Sequence, residues 1–203
     1  MTIHNKPDNQ NTEIKSAFEI AMEKFKNEPV KEDAINHESL RTEGCRLAAS
    51  FIQNEKVDIQ KKLQKYPADQ RAPVDQGIKE IFMLNIILPR NDKTLHEALR
   101  ALEGLSIILG LNKRVLAVCG QIDQLLKDYQ TKQKMYFSQL KEQFTQQASM
   151  LQAQVQSQMR AGIQINPENL PEFQKKWKAI IGQIDEQYGA ALDHLKKQLV
   201  SFS

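Results

Sequence analysis

The sequence predicts an all-α protein in which a small helical bundle forms the base of a long, antiparallel, coiled-coil-like two-helix hairpin. Three observations predict it. The first is an eleven-residue apolar repeat in two C-terminal segments. One segment carries Val118, Ile122, Leu126, Tyr129, Gln133, Phe137, Leu140, Phe144, Ala148, Leu151, Val155 and Met159, with only Gln133 out of character. The other carries Phe173, Trp177, Ile180, Ile184, Tyr188, Ala191, Leu195, Leu199 and Phe202. Such steps average close to the ~3.6 residues of a helical turn, so each set forms one stripe. An eleven-residue repeat keeps that stripe nearly straight, where a heptad repeat forces a left-handed supercoil. The second is composition: 6% aromatic residues, with 8 Gly and 7 Pro among 203 residues, suits a helical chain. The third is that Pro29, Pro67, Pro89, Pro167 and Pro171, with Gly110 and Gly162, stand between the apolar periodic segments.

Residues 1–12 read as a flexible polar leader, 13–111 as the helical bundle and 112–203 as the hairpin. Glu13 to Lys26 places Ile14, Ala17, Phe18, Ala21 and Phe25 on one face of a short helix that needs a surface to dock on. A charged segment from Val30 becomes amphipathic through Leu40, Leu47, Phe51, Ile59 and Leu63, predicting a helix that Tyr66-Pro67 stops. Pro73 fits the first turn of the next helix, whose Ile78, Ile81, Phe82, Ile86 and Ile87 crowd more than one face until Leu88-Pro89. Asn91 to Thr94 supplies capping residues for a helix through Leu95, Leu99, Leu102, Leu105, Ile108 and Leu109, ending at Gly110. Gly104, Gly110 and Gly120 either admit close backbones or end turns. The long helix is predicted from about Asn112 to Arg160. Gly162, Asn166-Pro167 and Leu170-Pro171 shape a loop, and the return helix spans Glu172 to Ser201. At ~1.5 Å per residue the return helix covers the distal two thirds of its partner, leaving the proximal third to the bundle.

Composition and motifs narrow the function classes. No run approaches the roughly 18 apolar residues of a membrane span, and the polar start lacks the apolar centre of a secretion signal. The cytoplasm is the expected location, with no membrane partner. Cys45 and Cys119 form no Cys-x-x-Cys pair and no disulfide framework, and read as buried, inert thiols. There is no phosphate-binding glycine loop and no His-Glu-x-x-His, and His4, His37, His96 and His194 are scattered. The expectation is a non-enzymatic protein with no catalytic residue, no metal and no cofactor.

Three stretches are candidates for contact. Gln143 to Met159 holds no charged residue, although long solvated helices normally carry alternating charges on their outer faces. Burying such a face costs little desolvation, which suits a partner. With the apolar loop residues it gives the candidate contact set Met150, Gln154, Gln158, Ile163, Ile165 and Leu170. Glutamine is also a good helix former, and the loop residues also fit a cap on the hairpin end. The second stretch is basic. Residues 113–203 hold 12 Lys plus Arg against 8 Asp plus Glu, within a chain of net charge +3. Lys127, Lys132, Lys134 and Lys141, then Lys175, Lys176 and Lys178, then Lys196 and Lys197 are spread along the hairpin, whereas phosphate binding rewards clustering. Lys175, Lys176 and Lys178 are the candidate phosphate contacts. The third is the N-terminal amphipathic segment, which fits a partner's groove and fits its own bundle better.

The opening Ile14-Lys15-Ser16-Ala17-Phe18-Glu19-Ile20-Ala21, followed by Met22-Glu23-Lys24, resembles the start of a family of uncharacterised bacterial all-helical proteins. Asn85-Ile86-Ile87-Leu88-Pro89 is similar to a segment of the same family. The resemblance implies a bacterial cytosolic protein with no known activity, and it carries over no functional residue. The leading functional expectation is an interaction, scaffold or chaperone-like factor that binds another protein or self-associates, for example as a homodimer. The alternative is a nucleic-acid or ribosome-associated factor that lays its basic hairpin along phosphates.

Overall fold

The computed structural model describes residues 32–53, 56–158 and 166–202, and every regular element among them is helical. In chain order these are α1 (Glu32–Gln53), α2 (Ile59–Gln64), α3 (Ala68–Asn85), α4 (Asp92–Ile108), α5 (Lys113–Gln158), a single 3₁₀ turn at Pro167–Asn169, and α6 (Pro171–Val200). The amphipathic segment 13–26 lies outside the described residues.

Several boundaries differ from the sequence reading, each for a local reason. The expected helix through Leu40 and Leu63 is two helices. Asp58 starts the second, its carboxylate accepting the Lys61 amide at 3.0 Å. α3 begins at Ala68, so Pro73 lies inside the helix and not in its first turn. Its missing N–H removes one intrahelical bond. The Pro73 ring is buried, and the Arg71 guanidinium ties the helix start to the preceding turn by donating to the Tyr66 and Gln64 carbonyls at 2.9 and 3.2 Å. The same helix stops at Asn85, short of Leu88, because the Asn85 amide donates to the Ile81 carbonyl at 2.8 Å while Ile86 turns fully inward.

α4 starts and stops as its sequence predicts. Asn91 and Thr94 form a reciprocal capping box. At the other end the Leu111 amide donates to Ser106 and the Gly110 amide to Ile107, at 3.0 and 3.3 Å. This is a Schellman turn, with Gly110 at φ +89°. Asn112 then accepts the Arg114 and Val115 amides, both at 3.0 Å, and launches α5.

The main core joins α1, α3 and α4 to both ends of the hairpin root. It contains Ala48, Phe51, Val74, Ile78, Phe82, Ile86, Ala101 and Leu105, together with Val115, Ile122 and Leu126 of α5 and Leu192 and Leu199 of α6. α1 and α3 cross at two glycines: a Cβ on Gly44 would strike the Val74 carbonyl, and one on Gly77 the Arg41 carbonyl. Of the glycines read as close contacts, Gly104 faces the Phe82 ring and Gly120 faces open space.

The two long helices pack antiparallel, and their register corrects the expected one. Phe144 meets Phe173, Phe137 meets Trp177 and Tyr129 meets Tyr188, with ring centroids 5.6, 5.1 and 5.6 Å apart. α6 therefore covers the basal two thirds of α5, from Phe144 down to the core, and not the distal part. From Thr145 to Gln158, about 21 Å of α5 runs past the start of α6.

Candidate functional site

The outer end of the hairpin is closed by a small cluster of Leu140, Phe144 and Phe173, flanked by Phe137, Trp177, Ile180 and Leu170. Leu170 caps the start of α6 and is half-buried there. Beyond the cluster, Gln143, Thr145, Gln146, Gln147, Ser149 and Met150 are all exposed, Met150 at 68%. The hydroxyls fold back on the helix, Thr145 donating to the Lys141 carbonyl at 2.8 Å and Ser149 to that of Thr145 at 2.9 Å. What faces outward is therefore glutamine amide and thioether. Gln139, Glu142, Gln143 and Gln146 border an open depression of about 340 Å³. Apart from the Glu142 carboxylate, this surface presents amide donors and acceptors that carry no ionic desolvation cost. Gln154 and Gln158 continue α5, but their side chains are not among those described; Ile163 and Ile165 lie outside the described residues.

The lysines fall into two groups. Most of those on the hairpin have intramolecular partners. Lys127 pairs with Asp123 at 2.8 Å, Lys134 with Asp92 at 2.7 Å and Lys141 with Glu168 at 2.6 Å. The Lys132 and Lys176 ammonium groups sit 5.2 and 5.1 Å from the ring centroids of Tyr188 and Phe144. Lys196 donates to the Ile86 carbonyl at 3.0 Å, and burial lowers its pKa. Lys175 and Lys178 stand exposed. Among the described residues, the lysines of the hairpin are spread along its length.

A polar junction that the sequence did not reveal fixes the hairpin root. Arg90, in the connector before α4, donates to both Asp185 oxygens at 3.1 and 2.6 Å and to the Tyr129 hydroxyl at 2.8 Å. That hydroxyl in turn donates to Asp185 at 2.6 Å. Beside it, Gln130 and Lys134 both donate to Asp92, at 3.0 and 2.7 Å, in the first turn of α4. Tyr129 is fully buried, and burial, reinforced by its bond to Asp185, raises its pKa. Burial works to raise the Asp185 carboxyl as well, but the bonds from Arg90 and Tyr129 outweigh it and hold the group below its ordinary value. The sign follows: stability from Asp185 is present above the unfolded carboxylate pKa of about 3.9 and fades as pH falls through the lower folded value. Denaturant unfolding at neutral pH and near pH 3 is expected to show a steeper loss for the native chain than for Asp185→Asn. Equal losses would mean the junction carries no net charge stabilisation. The available signal was Tyr129 itself, because a buried phenol needs a partner.

Both cysteines are free; Cys119 is buried as expected, whereas Cys45 is only half-buried. Burial pushes the Cys119 thiol up to about 11. Burial also raises Cys45, whose Sγ–H donates to the Gly77 carbonyl at 3.5 Å. Among the described residues no group of three or more His, Cys, Asp and Glu side chains is placed to hold a metal ion. No described helix is long and apolar enough to cross a membrane.

Residues 60–201 match a family of unknown function, DUF6657. The chain belongs to this family. The DUF6657 match takes in α3 to α6 whole, with the Arg90–Tyr129–Asp185 junction and the outer cluster. It includes Asn85 to Pro89, whereas the opening Ile14 to Lys24 precedes it. No curated protein and no solved structure matches the chain.

Proposed function

We propose that this DUF6657 protein is a non-enzymatic scaffold or chaperone-like factor. It binds another protein, or a second copy of itself, with the outer end of a hairpin that projects from the helical base. One observation supports this reading above the others: α5 continues past the start of α6 while presenting exposed Gln146, Gln147 and Met150 and no charge. A helix end that had only to be solvated would gain by carrying ions, whereas an uncharged face of amides and thioether is easily dehydrated against a partner. The cytoplasm belongs to the same proposal, since both cysteines are free, as reducing compartments keep them.

Gln146 and Met150 stand one turn apart on the same face, so Gln146→Glu with Met150→Glu places two like charges in the proposed contact. The expected result is a complex, homodimeric or with a partner recovered from the native cell, that weakens at least about tenfold in the double variant. Helix content by circular dichroism should stay unchanged. A complex that the double variant retains, or one that dissolves in salt and contains nucleic acid, would overturn the reading.

A further inference from the structure

A second surface lies at the opposite end of the molecule. Met83 of α3, Leu105 of α4, the adjoining Leu109, and Leu199 and Val200 of α6 line an open groove of about 350 Å³ together with four polar side chains of α1 and α3, the Arg41–Glu80 pair among them. Leu105 and Leu199 are buried in its floor, while Val200 at the edge is 58% exposed. Apolar side chains converge here from three helix ends, and no described element covers them.

We propose that this groove seats the chain's own residues 14–25. Three facts point to that occupant. First, the segment carries Ile14, Ala17, Phe18, Ala21 and Phe25 at helical spacing, an apolar stripe that needs a surface. Second, its tether ends beside the groove. α1 and α3 run antiparallel, with Gly44 against Val74 and Arg41 against both Gly77 and Glu80, so the Glu32 end of α1 lies toward the Met83 end of α3. Glu32 stands about 14 Å along the helix from Arg41. Residues 26–31 reach up to roughly 20 Å when extended, enough to turn back into the groove. Third, a tether this short holds the segment at an effective concentration of order millimolar, which favours it over any free competitor of similar affinity.

The test is amide hydrogen exchange on the full chain, at low and at high protein concentration. Amides within 14–25 are expected to exchange at least about tenfold more slowly than in Val200→Asp, equally at both concentrations. A second variant, Phe18→Asp, alters the segment and leaves the groove intact. It should release the same amides, leave those of α3 and α4 unchanged, and shift the Met83 methyl resonance. Should Val200→Asp disturb the α3 and α4 amides, Phe18→Asp alone decides. Rapid exchange of 14–25 in the native chain overturns the proposal. So does protection that survives Phe18→Asp, and so does protection seen only at high concentration, which would make the occupant a second copy.

Discussion

Gly77→Ala is expected to destabilise the protein by about 3 kcal/mol, the cost of forcing a methyl into a packed crossing. The sign is the informative part. In an open helix, alanine gains up to about 1 kcal/mol over glycine. At Gly77 the new methyl would strike the Arg41 carbonyl, with the Cys45 amide nitrogen only 3.0 Å away. Backbone cannot swing aside as a side-chain terminus can, so α1 and α3 would have to separate. Separation also strains the Arg41–Glu80 pair, whose N···O distance is 2.7 Å. Gly120, Gly182 and Gly189 have open space where a Cβ would go, and alanine there should be neutral or stabilising. Denaturant unfolding of the four variants checks this, and a Gly77→Ala protein as stable as the native chain would show that the crossing is loose.

The second large effect is expected at Phe82. Its ring is wholly buried, meets Phe51 edge-on with centroids 5.6 Å apart, and fills the space that Gly104 leaves open. Truncation to alanine removes the transfer energy of the ring and leaves a void that three helices cannot collapse into, a loss of about 3–5 kcal/mol. Domains hold roughly 5–15 kcal/mol in total. Phe82→Ala should therefore unfold at clearly lower denaturant, as followed by the fluorescence of Trp177, which sits on the hairpin away from the cavity. A coincident, shifted transition is expected because the core runs from Phe82 through Ile122 to Leu199. A Trp177 transition that stays in place would show that hairpin and base unfold separately.

The all-helical class and the pairing of the two long helices were legible because apolar periodicity reports directly which face of a helix is buried. Helix ends were legible where the residue type itself makes the cap, as with the Asn91 side chain and the positive φ of Gly110. The hairpin register was not. An eleven-residue repeat looks the same after sliding one helix along the other by one repeat, so the stripe alone leaves the axial offset open. Specific pairs fix it: Phe144 with Phe173, Tyr129 with Asp185, and Lys141 with Glu168. The Gly44–Gly77 crossing was hidden for another reason. A helical glycine reads locally as a weak helix former, and its value depends on a backbone distant in sequence. Of the candidate contacts, Met150 stands exposed and Leu170 is half-buried against Phe173. The uncharged composition was visible from the start; that part of it overhangs α6 was not, because the overhang follows from the register.

α5 is one unbroken helix anchored at Val115, Ile122 and Leu126 and gripped at Tyr129 by Arg90 and Asp185. Mechanically it is a lever whose fulcrum is that grip. Met150 lies about 32 Å beyond Tyr129 along the axis, so a swing of a few degrees at the root carries it through about 2–3 Å. The connector holding Arg90 joins α3 to α4, and a push on either of those helices bears on the fulcrum itself.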